Sequence, residues 1–274
     1  MSEQESTAVV LGGGGLAGIG WAIGALAALE ESGALRLAAV DHVIGTSAGS
    51  AVAAAVLQSG SAGAQFDMMV RKSRRNDEPA PAADFAVVMP ELTAIHESPA
   101  DVAEKTRRFV ALSRERSGVA PDIRRAAVAR RVEKDAWPDT HLTVTALRSD
   151  GTRALFTSAS GVGLVDAITA SCAVPGLWPV VRIDGEDYID GGTLSPTNAE
   201  LARDADRVIV LQPMPEWPGD QDPARRRVLD RAVVIEPSER TRAALGTDPF
   251  DPDIRGVAAV LGYEDGLGAV AAVR

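Results

Sequence analysis

Apolar and polar positions divide the chain into short apolar runs that stop at glycine and longer segments of helical composition. Thr7 to Leu11 is a strand-type run that ends in Gly12-Gly13-Gly14-Gly15, and Leu16 to Glu30 continues as a helix. Val43-Ile44 runs into Gly45-Thr46-Ser47-Ala48-Gly49-Ser50, and the small helix formers Ala51 to Val56 follow at once. Leu142 to Leu147 alternates like a half-buried strand; with the turn Ser149-Asp150-Gly151 and the run Arg153 to Thr157 it predicts a hairpin. A helix over Val165 to Ala173 precedes Pro175-Gly176-Leu177-Trp178-Pro179. A second hairpin, Val180 to Ile183 against Tyr188-Ile189, then delivers Asp190-Gly191-Gly192. Thr197 to Arg203 reads as a short helix, and Arg207 to Leu211 and Ala232 to Ile235 as the last strands. Ser238 to Leu245 and Ile254 to Val273 read as the last helices.

This alternation predicts an α/β fold, a mainly parallel central sheet covered by helices on both faces. No repeat, low-complexity tract or linker interrupts it, so residues 1–274 read as one domain. Residues 60 to 138 are patterned differently and read as a helical, lid-like insertion. Pro79, Pro81 and Pro90 punctuate an irregular stretch beginning at Asn76 that also holds His96, and Ser98-Pro99-Ala100-Asp101 reads as a capping box opening a helix to about Arg116. A second helix is predicted from Asp122 to Asp135. Arg107, Arg108, Arg114, Arg116, Arg124, Arg125, Arg130 and Arg131 make this the basic part of the chain. They read as solvated helix faces laced with acids; the competing reading is a lid that touches an anionic lipid surface.

Apolar residues make up 46% and charged residues 24%, enough for a sizeable core. The net charge of -10 argues against nucleic acid as a partner and against standing attraction to anionic membranes, leaving transient docking through a local patch. The preference for Arg over Lys, with abundant Ala, reads as the codon bias expected of a GC-rich bacterium. Cys172 is the only cysteine, which excludes an internal disulfide and a cysteine metal cluster and fits a reducing cytoplasm. Met1 to Ser6 is acidic and polar, unlike a signal peptide. Apolar stretches such as Ile19 to Leu29 fall short of the roughly 20 residues of a membrane span, so a cytoplasmic, soluble protein is expected.

Two glycine-framed motifs carry candidate chemistry. Gly45-x-Ser47-x-Gly49 between a strand and a helix is the setting in which a serine is held on a sharp elbow, its hydroxyl exposed at the helix N-terminus. The bland reading is a loop that caps a helix. The Gly12 to Gly15 loop would gather N–H groups into a nest for an anion, either a phosphate or an oxyanion. Gly13-x-Gly15-x-x-Gly18 matches a dinucleotide fingerprint, with Asp41 after Leu37 to Val40 as its acid. Against this, the second strand runs on through Asp41-His42-Val43-Ile44 into the elbow, and the absence of Gly-Lys-Ser or Gly-Lys-Thr after the glycines excludes a P-loop. A serine also needs a base. The only histidines are His42, His96 and His141, and none follows Asp190, so the order serine, acid, histidine is unavailable. Asp190, where a strand gives way to glycine, is the best-placed carboxylate to act directly; an ordinary Asp-Gly turn is the other reading.

Gly13-Gly14-Gly15-Leu16-Ala17-Gly18, Gly45-Thr46-Ser47-Ala48-Gly49 and Asp190-Gly191-Gly192, in this order, resemble the three signatures of patatin-like phospholipases. Pro175 to Val180 is similar to that family's proline-rich approach to its Asp-Gly-Gly, and the resemblance spans roughly residues 7 to 211. It implies a three-layer α/β/α lipid acyl hydrolase with a Ser-Asp dyad, acting on lipid or simple esters without metal or cofactor. Carried across, Ser47 is the nucleophile, Asp190 the base, and the N–H groups of Gly13, Gly14 and Gly15 the oxyanion hole. Gly18, Gly45, Gly49, Gly191 and Gly192 support these motifs. Two departures stand out. Ala17 occupies the place of the family's usual Arg or Lys, and Ser195-Pro196-Thr197-Asn198 reorders its Asn-x-Pro. A dinucleotide-binding module and a catalytically silent scaffold of the same fold remain as alternatives.

Overall fold

The computed structural model describes residues 5–71, 78–81, 83–116, 118–219 and 222–274. The elements in order are β1 (Thr7–Leu11), α1 (Gly15–Glu31), β2 (His42–Thr46), α2 (Ala48–Ser59), α3 (Ala62–Arg71), α4 (Phe85–Glu97), α5 (Val102–Arg116) and α6 (Pro121–Ala129). There follow β3 (Leu142–Arg148), β4 (Arg153–Phe156), α7 (Leu164–Ser171), β5 (Val181–Ile183), β6 (Glu186–Asp190), β7 (Arg207–Leu211), α8 (Pro223–Leu229), β8 (Val233–Ile235), α9 (Glu239–Leu245) and α10 (Ile254–Val273).

All eight strands join one sheet, paired in the order β5-β6-β3-β2-β1-β7-β8 with β4 also on β3. The pairs from β3 through β8 are parallel, whereas β4, β5 and β6 attach antiparallel, so the sheet is mixed with a parallel centre. The alternate residues of the parallel strands separate into two cores. Val9, Leu11, Val43, Ile209 and Leu211 face α1, α2, α7 and α10, while Ala8, Val10, Ile44, Val208 and Val210 face the short 3-10 turn Ala199–Ala202 and α8. Central strands buried on both faces need unbroken apolar runs, which is why Val9-Val10-Leu11 and Ile209-Val210-Leu211 show no polar alternation.

The register around β3 places the site. Leu142 to Thr145 pair with β2, and Ala146 to Arg148 pair with β6; β4 takes Val144 to Leu147. Because β4 overlaps both partners, β2 and β6 must share the opposite edge of β3. There they run toward each other and meet end to end, Thr46 beside Thr145 and Asp190 beside Ala146. The two chain ends that carry Ser47 and Asp190 are thereby brought together.

Several local expectations change. Residues around Pro90 and His96 belong to α4, with Pro90 inside the helix. Asn76 lies outside the described residues. Ser98 does not cap α5: its Oγ donates to Ile95 O at the end of α4, and Asp101 Oδ1 accepts the Glu104 N–H instead. A Pro at the next position disfavours a helical Ser98, but the cap's position was not legible from residue types that both serve. The segment after α6 turns away at Arg130, short of the predicted Asp135. Leu37–Ala39 is a 3-10 turn, and β2 begins only at His42. Among the described residues one helix, α10, with mean hydropathy 1.3, is long and apolar enough to cross a membrane, a length the reading of apolar stretches missed. It is packed side by side with α1: a Cβ on Gly24 would overlap the Ala259 carbonyl, and one on Gly262 the Trp21 carbonyl.

Candidate active site

β2 ends at Thr46, and the chain reverses at once into α2 through Ser47, whose φ of 52° and ψ of -119° are strained for a residue with a side chain. Such a backbone costs on the order of 1–3 kcal/mol and persists only where its surroundings hold it. Two of them do. The Ser47 N–H donates to Ser171 Oγ at 2.8 Å, and Gly49 sits so tightly on β1 that any Cβ there would overlap Leu11 O. A Cβ on Gly45 would stand 2.6 Å from the Ser50 Cα, so both glycines of the elbow are required by close approach.

Ser47 Oγ donates to Asp190 Oδ2 at 2.6 Å, while Asp190 Oδ1 accepts the Gly192 N–H at 2.6 Å. Asp190 is 3% exposed, and burial pushes its carboxyl up to about 7, against the bonds from Ser47 and Gly192 and the charge of Arg124, which favour the ionised form. Behind it Asn198, in the left-handed region with φ of 53°, donates to Ser195 O at 2.8 Å and to Thr46 Oγ1 at 3.1 Å. Ser195 and Thr197 in turn donate to Glu216, and Trp217 Nε1 donates to Gly192 O at 2.8 Å. The reordered Ser195 to Asn198 segment thus still braces the turn after Asp190.

The glycine loop lies against this pair, a Cβ on Gly13 reaching van der Waals contact with Ser47 Cβ at 3.4 Å. The Gly13 N–H is committed to Pro196 O at 2.9 Å. Among the described residues, those of Gly14 and Gly15 have no such acceptor. Ala17 is buried and its N–H donates to Pro249 O at 3.0 Å.

A cavity of about 560 Å³, including its open mouth, is lined by Gly13 to Gly15, Ser47 and Asp190 at its floor. Its walls are apolar: Phe85, Met89 and Leu92 of α4, Phe109 of α5, and Trp217 and Phe250. Residues 60–138 therefore supply a roof above the serine. His96 lines the same cavity, but it stacks on Trp217 with ring centroids 4.0 Å apart, and Ser47 Oγ bonds to Asp190. His42 and His141 stack on each other at 4.2 Å at the far ends of their strands, and burial beside His141 pushes His42 down to about 4. Asp41, the acid of the dinucleotide reading, also sits at that far end. Its Oδ2 accepts the Thr7 N–H at the start of β1, a strand's length from the glycine loop that follows β1. The loop itself is crowded by Pro213 and Pro249.

The arginines behave in two ways. Arg107 and Arg108 pair with Glu104, Arg114 with Asp187, and Arg125 with Asp135 and Asp166 on the surface, as expected. Arg124 and Arg131 do not: both reach inward to Glu78. Ser171 and Glu216 are the site components that sequence reasoning missed, while Asn198, Trp178 and these two arginines were singled out there without these contacts. Their residue types are common, and only the fold gives them neighbours.

The fold thus holds a buried carboxylate against an elbow serine, under an apolar roof. The sequence model of the family described as "Patatin-like phospholipase" matches residues 9–203, and the chain belongs to this family. Membership places it, at family level, among lipid hydrolases. No curated protein matches the chain significantly. Among solved structures it is similar to VipD from Legionella pneumophila, at 13% identity and a TM-score of 0.49, over 98% of this chain and 67% of that one. It is also similar to the type III effector protein ExoU, at 17% identity and a TM-score of 0.43, over 98% of this chain and 53% of that one. The full-length ExoU in complex with full-length SpcU, from the type III secretion system of Pseudomonas aeruginosa, gives 18% identity and a TM-score of 0.38 over 97% and 53%. The chain thus spans about half the length of the ExoU structures.

Proposed function

We propose that this chain hydrolyses carboxylic esters of lipids through an acyl-enzyme, with Ser47 as nucleophile and Asp190 as its direct base. The observation that carries the reading is the 2.6 Å bond from Ser47 Oγ to Asp190 Oδ2 at the floor of an apolar cavity. Asp190 takes the hydroxyl proton as Ser47 attacks the ester carbonyl. It then returns that proton to the departing alkoxide, so that alcohol leaves and the acyl group stays on Ser47. Water enters and adds to the acyl carbonyl as Asp190 takes its proton; the bond from Ser47 Oγ to the acyl carbon then breaks, Asp190 returns the proton to Ser47 Oγ, and the acid is released. A carboxyl titrating near 7 suits both halves of this cycle. The N–H groups of Gly14 and Gly15 are the donors we assign to the tetrahedral oxyanion, because Gly13 spends its own on Pro196. The walls of Phe85, Met89, Leu92 and Phe109 suit an acyl chain.

Purified protein is expected to hydrolyse p-nitrophenyl butyrate and to be labelled at Ser47 by a fluorophosphonate. Ser47→Ala and Asp190→Asn should each reduce turnover at least about 1000-fold with the fold intact. Undiminished activity in both variants would refute the mechanism, and a folded wild-type protein that neither labels nor turns over would be a silent scaffold.

A further inference from the structure

A second, smaller cavity shares Ser47 and Gly15 with the first. Its charged side chains come from the insertion, Arg124 on α6 and Arg131 just beyond it, and Trp178 and Cys172 also line it. Ser47 therefore stands between an apolar space and a cationic one.

Arg124 is 3% exposed; its guanidinium carbon lies 3.8 Å from the centroid of the Trp178 ring, and its Nη1 donates to Glu78 Oε2 at 3.1 Å. Its Nε and the Trp178 Nε1 are both enclosed without a hydrogen-bond partner. Arg131 takes Glu78 Oε1 through Nη2 and Nε at 2.8 and 3.2 Å. Among the described residues, two guanidinium charges are thus set against one carboxylate. Burial would raise the Glu78 carboxyl, but Arg131 and Arg124 together hold it below its ordinary value. Burial pushes Arg124 down to about 10, which leaves it charged at neutral pH.

An enclosed charged donor without an acceptor is costly, and replacing it by a neutral side chain would normally be the cheaper core. Arg124 Nε, on a guanidinium that meets Glu78 through Nη1, and the neutral Trp178 Nε1 are both left without a partner on residues that line the cavity beside Ser47. The guanidinium offers a rigid planar fork that matches phosphate oxygens, and stacking on an indole holds that fork in one orientation. We propose that Arg124 Nε and Trp178 Nε1 form an anion subsite next to Ser47 that takes the phosphate group of a phosphate-bearing lipid ester. This rests on the hydrolase reading above, since the subsite orients an ester whose carbonyl reaches Ser47.

Binding is tested apart from turnover. Ser47→Ala protein is titrated by calorimetry with glycerophosphocholine and with inorganic phosphate. Glycerophosphocholine should bind, about tenfold more weakly once Arg124→Gln is added and about threefold more weakly with Trp178→Phe, which keeps the ring stack and removes the donor. Circular dichroism and Tm check each fold, and if Arg124→Gln does not fold, Trp178→Phe decides alone. On the active enzyme, Arg124→Gln should lower kcat/KM for lysophosphatidylcholine about tenfold more than for p-nitrophenyl butyrate. Absence of glycerophosphocholine binding, or binding indifferent to both substitutions, overturns the subsite. Binding of inorganic phosphate alone overturns the lipid assignment, and equal losses on both esters assign Arg124 to chemistry common to all substrates and overturn it as well. Arg124-dependent glycerophosphocholine binding in a protein without esterase activity would remove the hydrolase reading and leave the subsite standing.

Discussion

At the scale of residues, Asp190 concentrates both the chemistry and its cost. Its carboxyl titrates at about 7 instead of 3.8 because burial disfavours the charge. The base form is the deprotonated one, so kcat/KM for p-nitrophenyl butyrate should rise with pH, reach half its plateau near pH 7 and stay level above. The sign for stability is opposite. Between about 4 and 7 the folded state keeps a proton that the unfolded chain has lost, so stability falls as pH rises through this window. The difference corresponds to at most about 4 kcal/mol. Asp190→Asn removes the charge while its amide can still accept from Gly192 and donate to Ser47. Its Tm should therefore exceed that of the wild type at pH 8, with the gap closing at pH 4, as scanning calorimetry at the two pH values would show. Ser171 is the second residue to test. Ser171→Ala leaves the amide of the strained Ser47 without its 2.8 Å acceptor, and kcat should fall about tenfold with little change in KM.

At the scale of elements, the contact between α1 and α10 is the most exacting in the molecule. Gly20 and Gly24 on α1 and Gly262 and Gly266 on α10 let the two backbones approach where any Cβ would meet main-chain atoms of the other helix. The apolar composition of α10 matches this neighbour as well as it would match a lipid. Gly24→Val cannot be absorbed by rotating a side chain, because the obstacle is the Ala259 carbonyl. It should cost about 3 kcal/mol or more and appear as a drop in Tm; an unchanged Tm would mean that α10 does not pack there in solution. The elbow glycines follow the same logic. The helices of the insertion differ in kind: α4 presents Val88 and Leu92 inward, yet Val87 is 53% exposed.

At the scale of the whole molecule, a net charge of -10 surrounds an apolar cavity floored by the serine. Approach to a lipid surface is then opposed by any anionic membrane and indifferent to a zwitterionic one. Co-sedimentation at low salt should show weaker binding to vesicles containing phosphatidylserine than to pure phosphatidylcholine. Raising the salt to about 0.5 M should narrow the difference by screening. Tighter binding to the anionic vesicles would reveal a local basic surface stronger than the global charge.

The sequence alone determined the order of the strands and of the helices that flank them outside residues 60 to 138, apart from α8, together with the elbow at Ser47, the glycine loop and the strand end at Asp190. Each rests on local rules: apolar runs buried on two faces, glycine where backbones touch, and a turn where a strand stops. It also showed that no histidine could follow Asp190. It did not place Asp101 as the cap of α5, because Ser98 and Asp101 are both capping residues, nor the helix through Pro90, because proline reads as a breaker, nor the far-end position of Asp41, which depends on a partner 34 residues away. Tertiary structure decided the rest. Only the shared edge of β3 brings Asp190 within 2.6 Å of a serine 143 residues earlier, and only burial makes its carboxyl basic enough to serve. Likewise, eight arginines look alike in a helical pattern, and the fold alone turned Arg124 and Arg131 inward, where desolvation makes a common surface charge a group in need of an anion.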